Sequence, residues 1–198
     1  DGRLQWPPGQ ARMARRTYTI RDIDVDAAWM DIDVLLHPSG GGADGEPVDA
    51  PGSDWAAQAR PGNLVGMLSP GSGVLPIAQR YVMVADACAL PAAARMLQNL
   101  TCGASTALLL WVAQDDERSA FDVPVSRVQP HWICSGEPGA SAPEITQVLA
   151  WLDQQNWPGS DTVLWVAGGL PLTQAVRRWV AETPVLGKVR KMVHTYWR

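Results

Sequence analysis

The hydrophobic pattern divides the chain into two halves, the second beginning near Arg80. In the first half, residues 16–21, 29–36 and 64–69 read as strands. Asp22-Ile23-Asp24-Val25-Asp26 and Asp31-Ile32-Asp33-Val34 alternate polar with apolar residues, as strands with one wet face do. The same aspartates lack the Gly and terminal Glu of an EF-hand loop, so a solvated strand face is expected there rather than a calcium site. Residues 38–52 form a Gly/Pro/Asp-rich loop. A short helix is expected over 53–60, with Ser53 as its N-cap and Pro61-Gly62 as its stop.

The second half alternates apolar runs with amphipathic ones. Strands are expected at 81–85, 105–112, 128–134, 162–167 and 189–196. Helices are expected at 89–100, 144–154 and 170–181, with Pro91 close to the favoured first-turn position. Strands alternating with helices imply a parallel sheet with right-handed crossovers. Ligands in such sheets bind outside the carboxyl ends of strands, which points to residues 85–91 and 167–171.

At 198 residues the chain can bury a sound core in one large domain or two small ones. No apolar run approaches the ~20 residues of a membrane span. Net charge is −4, which argues against a general affinity for nucleic acid. Cys88, Cys102 and Cys134 are odd in number and lack Cys-x-x-Cys spacing, so they read as reduced cytosolic thiols rather than a disulfide framework or zinc site. Ten Trp stand against one Phe, a bias that ordinary enzyme cores also show. The opening Asp1-Gly2-Arg3-Leu4-Gln5-Trp6-Pro7-Pro8-Gly9 has no Met and reads like a loop inside a longer protein.

Candidate chemistry centres on Arg16-Thr17-Tyr18-Thr19. In an extended chain residues i and i+2 share a face, so Arg16 and Tyr18 would lie side by side with the Thr19 hydroxyl next to them. A cation beside a flat ring suits a ligand that is anionic at one end and planar at the other, such as a flavin nucleotide. Gly40 to Gly45 literally matches G-x-G-x-x-G, but Glu46-Pro47-Val48-Asp49-Ala50-Pro51 follows. No helix opens there, so the match is not a dinucleotide fingerprint. His37, His131 and His194 share no ligand spacing and are expected as strand residues. No G-x-S-x-G or P-loop occurs. Lys188, Arg190, Lys191 and Arg198 make a basic C-terminal stretch, either a solvated strand face or an electropositive rim.

Several blocks, in order, resemble the siderophore-interacting proteins, flavin-dependent ferric-siderophore reductases of the ferredoxin-reductase-like superfamily. Arg16-Thr17-Tyr18-Thr19 resembles the R-x-Y-T flavin motif. Pro51-Gly52-Ser53-Asp54-Trp55-Ala56 resembles the family's Gly-Pro-Ala-Ser-x-Trp-Ala. Ala85-Asp86-Ala87-Cys88-Ala89-Leu90-Pro91-Ala92 resembles Gly-Asp-Glu-Thr-Ala-Leu-Pro-Ala. Trp165-Val166-Ala167-Gly168 and Tyr196-Trp197-Arg198 match the strand before the penultimate helix and the C-terminal Tyr-Trp-Arg.

The resemblance implies a β-barrel FAD-binding domain, N-terminally incomplete here, over residues 1–78. An α/β parallel-sheet NAD(P)H-binding domain would follow over 79–198. It implies a cytoplasmic, monomeric enzyme that passes a hydride from NADPH or NADH to FAD, and single electrons onward to a ferric siderophore. Arg16 would contact FAD phosphate, Tyr18 the isoalloxazine and Thr19 its reactive edge. His37 would end the next strand, and Gly52, Ser53 and Trp55 would form the pyrophosphate block. Asp86, Ala89, Leu90, Pro91 and Gly168 would line the mouth where the nicotinamide approaches. Lys188 and Arg198 would attract the ferric siderophore.

This chain departs from the pattern at Ala85, Ala87 and Cys88, where the family has Gly, Glu and Thr, and in the insertion at 38–50. Ala85 would add a methyl where the nucleotide backbone approaches. Two further possibilities therefore stay open: a flavin reductase with another acceptor, and a degenerate chain that folds its α/β half without holding flavin.

Overall fold

The computed structural model describes residues 15–36, 51–68, 75–100, 103–121, 128–136 and 142–197, and the account below concerns these. Strands β1 (Ile20–Asp24) and β2 (Trp29–Ile32) form an antiparallel hairpin. Its turn is held by the Ala27 N–H, which donates to Asp24 Oδ1 at 2.8 Å, and Ala28 takes a left-handed φ of 57°. The Arg21 guanidinium reaches Asp31 at 3.0 Å and Asp33 at 3.1 Å, so the acidic residues flank a cation on an exposed face.

The alternation predicts one buried face for this hairpin, and the structure differs. Ile23 and Ile32 are 42% and 40% exposed. The hairpin's sheet has two strands among the described residues, so no further strand covers its apolar positions. The strand expected at 64–69 is likewise not formed over 64–68, where Leu64 is 96% exposed. A strand needs a neighbour to take its N–H and C=O groups, and alternation alone does not supply one. Helix α1 (Pro51–Gln58) starts two residues before the expected Ser53, with Pro51 in the first position, where its missing N–H costs nothing. Ser53 is buried in the first turn instead of capping it.

The second half is a five-stranded parallel sheet flanked by helices. Its strands are β3 (Arg80–Asp86), β4 (Ser105–Val112), β5 (His131–Cys134), β6 (Thr162–Gly169) and β7 (Arg190–Trp197). They lie in the order β5-β4-β3-β6-β7. Continuous apolar runs form the central strands because both faces are covered. On one face Met83, Leu110, Trp165 and Ala167 pack under α2 (Leu90–Gln98), whose Ala92, Ala93 and Leu97 point inward. On the other, Val84, Leu109, Leu164 and Val166 meet Val148 and Leu152 of α3 (Ala142–Asp153) and Leu172 and Val176 of α4 (Leu170–Glu182). The run expected as a strand over 128–134 pairs with β4 only from His131, so β5 is shorter.

The order places a topological switch between β3 and β6. The connection after β3 leads outward to β4, and the chain later returns to β6 on β3's other side. Neighbouring loops diverge at such a point and leave a crevice outside the carboxyl ends. Asp86 ends β3, and Gly168-Gly169 ends β6.

Candidate functional site

Two clusters of expected site residues form, joined by the end of β7. The first lies at the start of α1. Arg16 and Tyr18 precede β1 outside any strand pairing, yet both lie against Gly52. A Cβ at Gly52 would collide with the Tyr18 hydroxyl and would lie 3.6 Å from Arg16 Cγ. Glycine is therefore what lets the ring and the guanidinium stem approach the helix start. Trp55 lies one turn further, 42% exposed, and lines an open depression of about 530 Å³ with Asp54, Gln58, Asn63 and Leu64.

These residues fit a flavin nucleotide in kind. A guanidinium offers paired N–H donors, an aromatic ring lies beside it, and the α1 amino end carries partial positive charge. Asp54 in the first turn of α1 adds a carboxylate close to where a phosphate would lie.

The second cluster surrounds Asp86, which is 9% exposed. Its Oδ2 accepts the Gly169 N–H at 2.8 Å and the Trp197 indole N–H at 2.8 Å. Oδ1 is buried and has no hydrogen bond of good geometry. Burial pushes this carboxyl above its ordinary 3.8; the Trp197, Gly169, Ala89 and Cys88 N–H groups pull the other way. Gly168 and Gly169 are both required by close approach. A Cβ on Gly168 would lie 2.7 Å from Asp86 Oδ2, and one on Gly169 would lie 2.6 Å from the Trp197 ring.

The two clusters approach each other at Tyr196, whose side chain lies near that of Thr19. The Tyr196 ring is 43% exposed, but desolvation of its hydroxyl raises the pKa; the nearby Thr19 opposes this and the Asp86 charge adds to it. The geometry of β7 explains how one strand end serves both clusters. Thr195 pairs with Gly168 and Trp197 with Gly169, so the register slips by one and Tyr196 has no partner on β6. Thr195 points to α4, its hydroxyl 2.8 Å from that of Thr173. Trp197 covers Gly169, which continues the Val163, Trp165 and Ala167 set facing α2. A one-residue bulge re-aims side chains in this way, and here it lets consecutive residues serve one side of the sheet.

Other expected site residues are dispersed. Ala89 and Leu90 are buried at the start of α2, and Pro91 occupies its first turn. Ala85 is fully buried in the sheet beneath α2, so its methyl is a core contact rather than an obstacle at the crevice. Lys188 precedes β7 and so lies at the amino end of the sheet, about 25 Å of strand from Tyr196. His37 and Arg198 lie outside the described residues. His131 stacks on Trp151 at 6.3 Å, and His194 is exposed on β7. Among the described residues no His, Cys, Asp or Glu cluster could hold a metal ion, and no helix is long and apolar enough to cross a membrane.

Tyr196 and Trp197 gain weight that the sequence did not assign them. Their block is recognisable in the sequence, where Arg198 is its charged member. The available signal was an aromatic pair ending one strand, with a Gly-Gly doublet ending an apolar one.

The antiparallel hairpin region and the five-stranded parallel sheet give a two-part architecture: a barrel-like FAD-binding region, then an α/β domain. Comparison with known proteins agrees. Residues 78–198 match the family model for siderophore-interacting protein, and residues 1–74 match that for the siderophore-interacting FAD-binding domain. The chain belongs to the siderophore-interacting protein family. It is 27% identical to the siderophore-interacting protein SipS from Aeromonas hydrophila, with a TM-score of 0.73 over 97% of this chain and 80% of SipS. It is 27% identical to the uncharacterized protein Rv2895c of Mycobacterium tuberculosis over 96% of this chain and 67% of that protein. It is 28% identical to the ferric vibriobactin reductase ViuB of Vibrio cholerae over 60% of this chain, and spans 40% of ViuB.

Proposed function

We propose that this chain works as a flavin-dependent reductase that takes electrons from NADH or NADPH through FAD and passes them to a ferric siderophore. Siderophores hold Fe(II) weakly, so the reduction releases iron. FAD, when bound, supplies the exchange between two-electron and one-electron chemistry. Residues 1–78 form the flavin part and 79–198 the nicotinamide part. The observation that carries this reading is the Thr19–Tyr196 contact. It joins the segment bearing Arg16 and Tyr18 to the carboxyl ends of the parallel strands, where a nicotinamide would arrive.

Arg16 pairs with phosphate, Tyr18 packs on the isoalloxazine and Thr19 offers its hydroxyl at the ring edge. Gly52 and Ser53 present backbone N–H groups to the pyrophosphate, with His37 and Trp55 completing the surroundings. Asp86, Ala89, Leu90, Pro91 and Gly168 bound the nicotinamide side. Of the two cations assigned to the siderophore, Arg198 follows directly on the Tyr196–Trp197 cluster, and it is the one we retain at the acceptor. The protein acts as a cytoplasmic monomer with no nucleic-acid partner.

The test is a titration of purified protein with FAD, followed by reduction of ferric chelates with NADH and with NADPH. Arg16→Ala should weaken FAD binding by roughly 1.5–3 kcal/mol, the scale of a charge-assisted hydrogen bond. Absence of flavin binding by the unmutated protein would overturn the proposal.

A further inference from the structure

We propose that Asp86 is a positioning residue for the flavin: acting through the Trp197 indole, it fixes the end of β7 so that Tyr196 stays against Thr19. The inference rests on the flavin assignment above and adds to it a residue remote from Arg16 and Tyr18.

Geometry carries the argument. A single carboxylate oxygen accepts hydrogen bonds from two strand ends, Gly169 of β6 and Trp197 of β7, each at 2.8 Å. Asp86 itself ends β3, so one side chain ties three strands at the switch point. Gly168 is kept free of a Cβ at that place: one there would lie 2.7 Å from Oδ2 and 2.8 Å from Cγ. Burial of an acidic side chain with one oxygen lacking a well-formed hydrogen bond costs stability. Asn in its place would carry no charge and would still accept from both donors. What the carboxylate secures is the terminal aromatic pair. Its bond to the Trp197 indole fixes that ring over Gly169. The register slip then leaves Tyr196 outside the ladder and directed to Thr19.

The experiment combines Asp86→Ala, Asp86→Asn, Trp197→Phe and the Asp86→Ala/Trp197→Phe double variant, with two readouts. The first is FAD affinity. Asp86→Ala and Trp197→Phe should each raise the Kd about tenfold. The double variant should be no worse than either alone, and Asp86→Asn should stay within about threefold of the unmutated protein because it keeps the acceptor. The second readout uses flavin-free protein: the backbone amide resonance of Thr19 should shift in Asp86→Ala and Trp197→Phe and move little in Asp86→Asn.

If Asp86→Ala does not fold, Trp197→Phe decides alone, since it removes the indole donor while keeping an aromatic ring at the position. An unmoved Thr19 resonance in Trp197→Phe overturns the inference. So does an unchanged Kd, or additive losses in the double variant. If the unmutated protein binds no FAD, the proposed function fails, while the Thr19 resonance still tests the link between Asp86 and Thr19.

Discussion

Tyr18 lies over Gly52 so closely that any side chain at position 52 would meet the phenol hydroxyl first. Gly52→Ala should therefore push Tyr18 off the start of α1. We expect FAD affinity to fall by about 1–3 kcal/mol, the usual cost of forcing extra volume into a packed contact. The next ring atom, Tyr18 Cζ, would lie 3.3 Å from the new methyl, so Tyr18→Phe should restore part of the loss in a Gly52→Ala background. Equilibrium titration of the three variants is the check. Failure of the double variant to recover would mean that Gly52 acts through its backbone conformation.

The glycine pair ending β6 should respond unequally to substitution. A methyl on Gly168 meets the buried Asp86 and, at 3.0 Å, Leu172 of α4, neither of which can retreat easily. Gly168→Ala should cost about 2–3 kcal/mol of folding stability. A methyl on Gly169 meets the Trp197 ring, which is half-buried and able to swing outward. That substitution should cost about 1 kcal/mol while breaking the indole bond to Asp86. Urea unfolding of both variants measures the order, and the opposite order would make Trp197 the more rigid partner.

Asp86 should leave a signature in the dependence of stability on pH. Its carboxyl is held above 3.8 by burial, so the folded protein binds this proton more tightly than the unfolded chain does. The stability linked to that proton is complete below about pH 3.8 and is lost as pH rises through the folded value. Asp86→Asn has no such proton. The stability of the unmutated protein relative to Asp86→Asn should thus be most favourable near pH 4 and decline toward neutrality. Urea midpoints of both proteins at pH 4, 5, 6 and 7 provide the comparison. A difference that grows with pH would show that the Trp197 and Gly169 N–H groups outweigh burial.

The thiols should separate by reactivity. Burial pushes Cys88 up to about 12, and the Asp86 and Glu117 charges add to it. At pH 8 about one Cys88 in ten thousand would be thiolate, the reactive form. Cys134 is exposed at the end of β5. In a Cys102→Ser background, a disulfide reagent should label Cys134 rapidly and Cys88 only after unfolding. Fast labelling of two thiols in native protein would place Cys88 in a more open setting.

The α/β half was legible because its central strands are buried on both faces. Residues 105–112 bound β4 to the residue, and Thr162 and Leu170 begin β6 and α4 as expected. The hairpin half was less so. Residues 64–69 have a strand-like composition, but pairing partners decide whether a strand forms. At the site, Arg16, Tyr18 and Gly52 could be picked out, and Asp86 too. That Asp86 would meet Trp197, 111 residues away, could not, because the contact is made by strand order and a register slip. Lys188 shows how sequence proximity and spatial proximity differ. It is near Arg198 in sequence, yet a strand running the full height of the sheet separates it from the Tyr196–Trp197 end.

The unpaired Tyr196 makes the end of β7 sensitive to residue count. Because it is the supernumerary residue of its strand, deleting it would leave Thr195 opposite Gly168 and Trp197 opposite Gly169. A shortened chain of this kind should keep its sheet and its indole bond to Asp86 while losing the contact with Thr19. Parity, rather than length, is what the end of β7 must conserve. Removing any single residue between Arg190 and Thr195 would invert the faces of those before it, whereas removing Tyr196 would take away only the approach to Thr19 and leave the α/β fold intact.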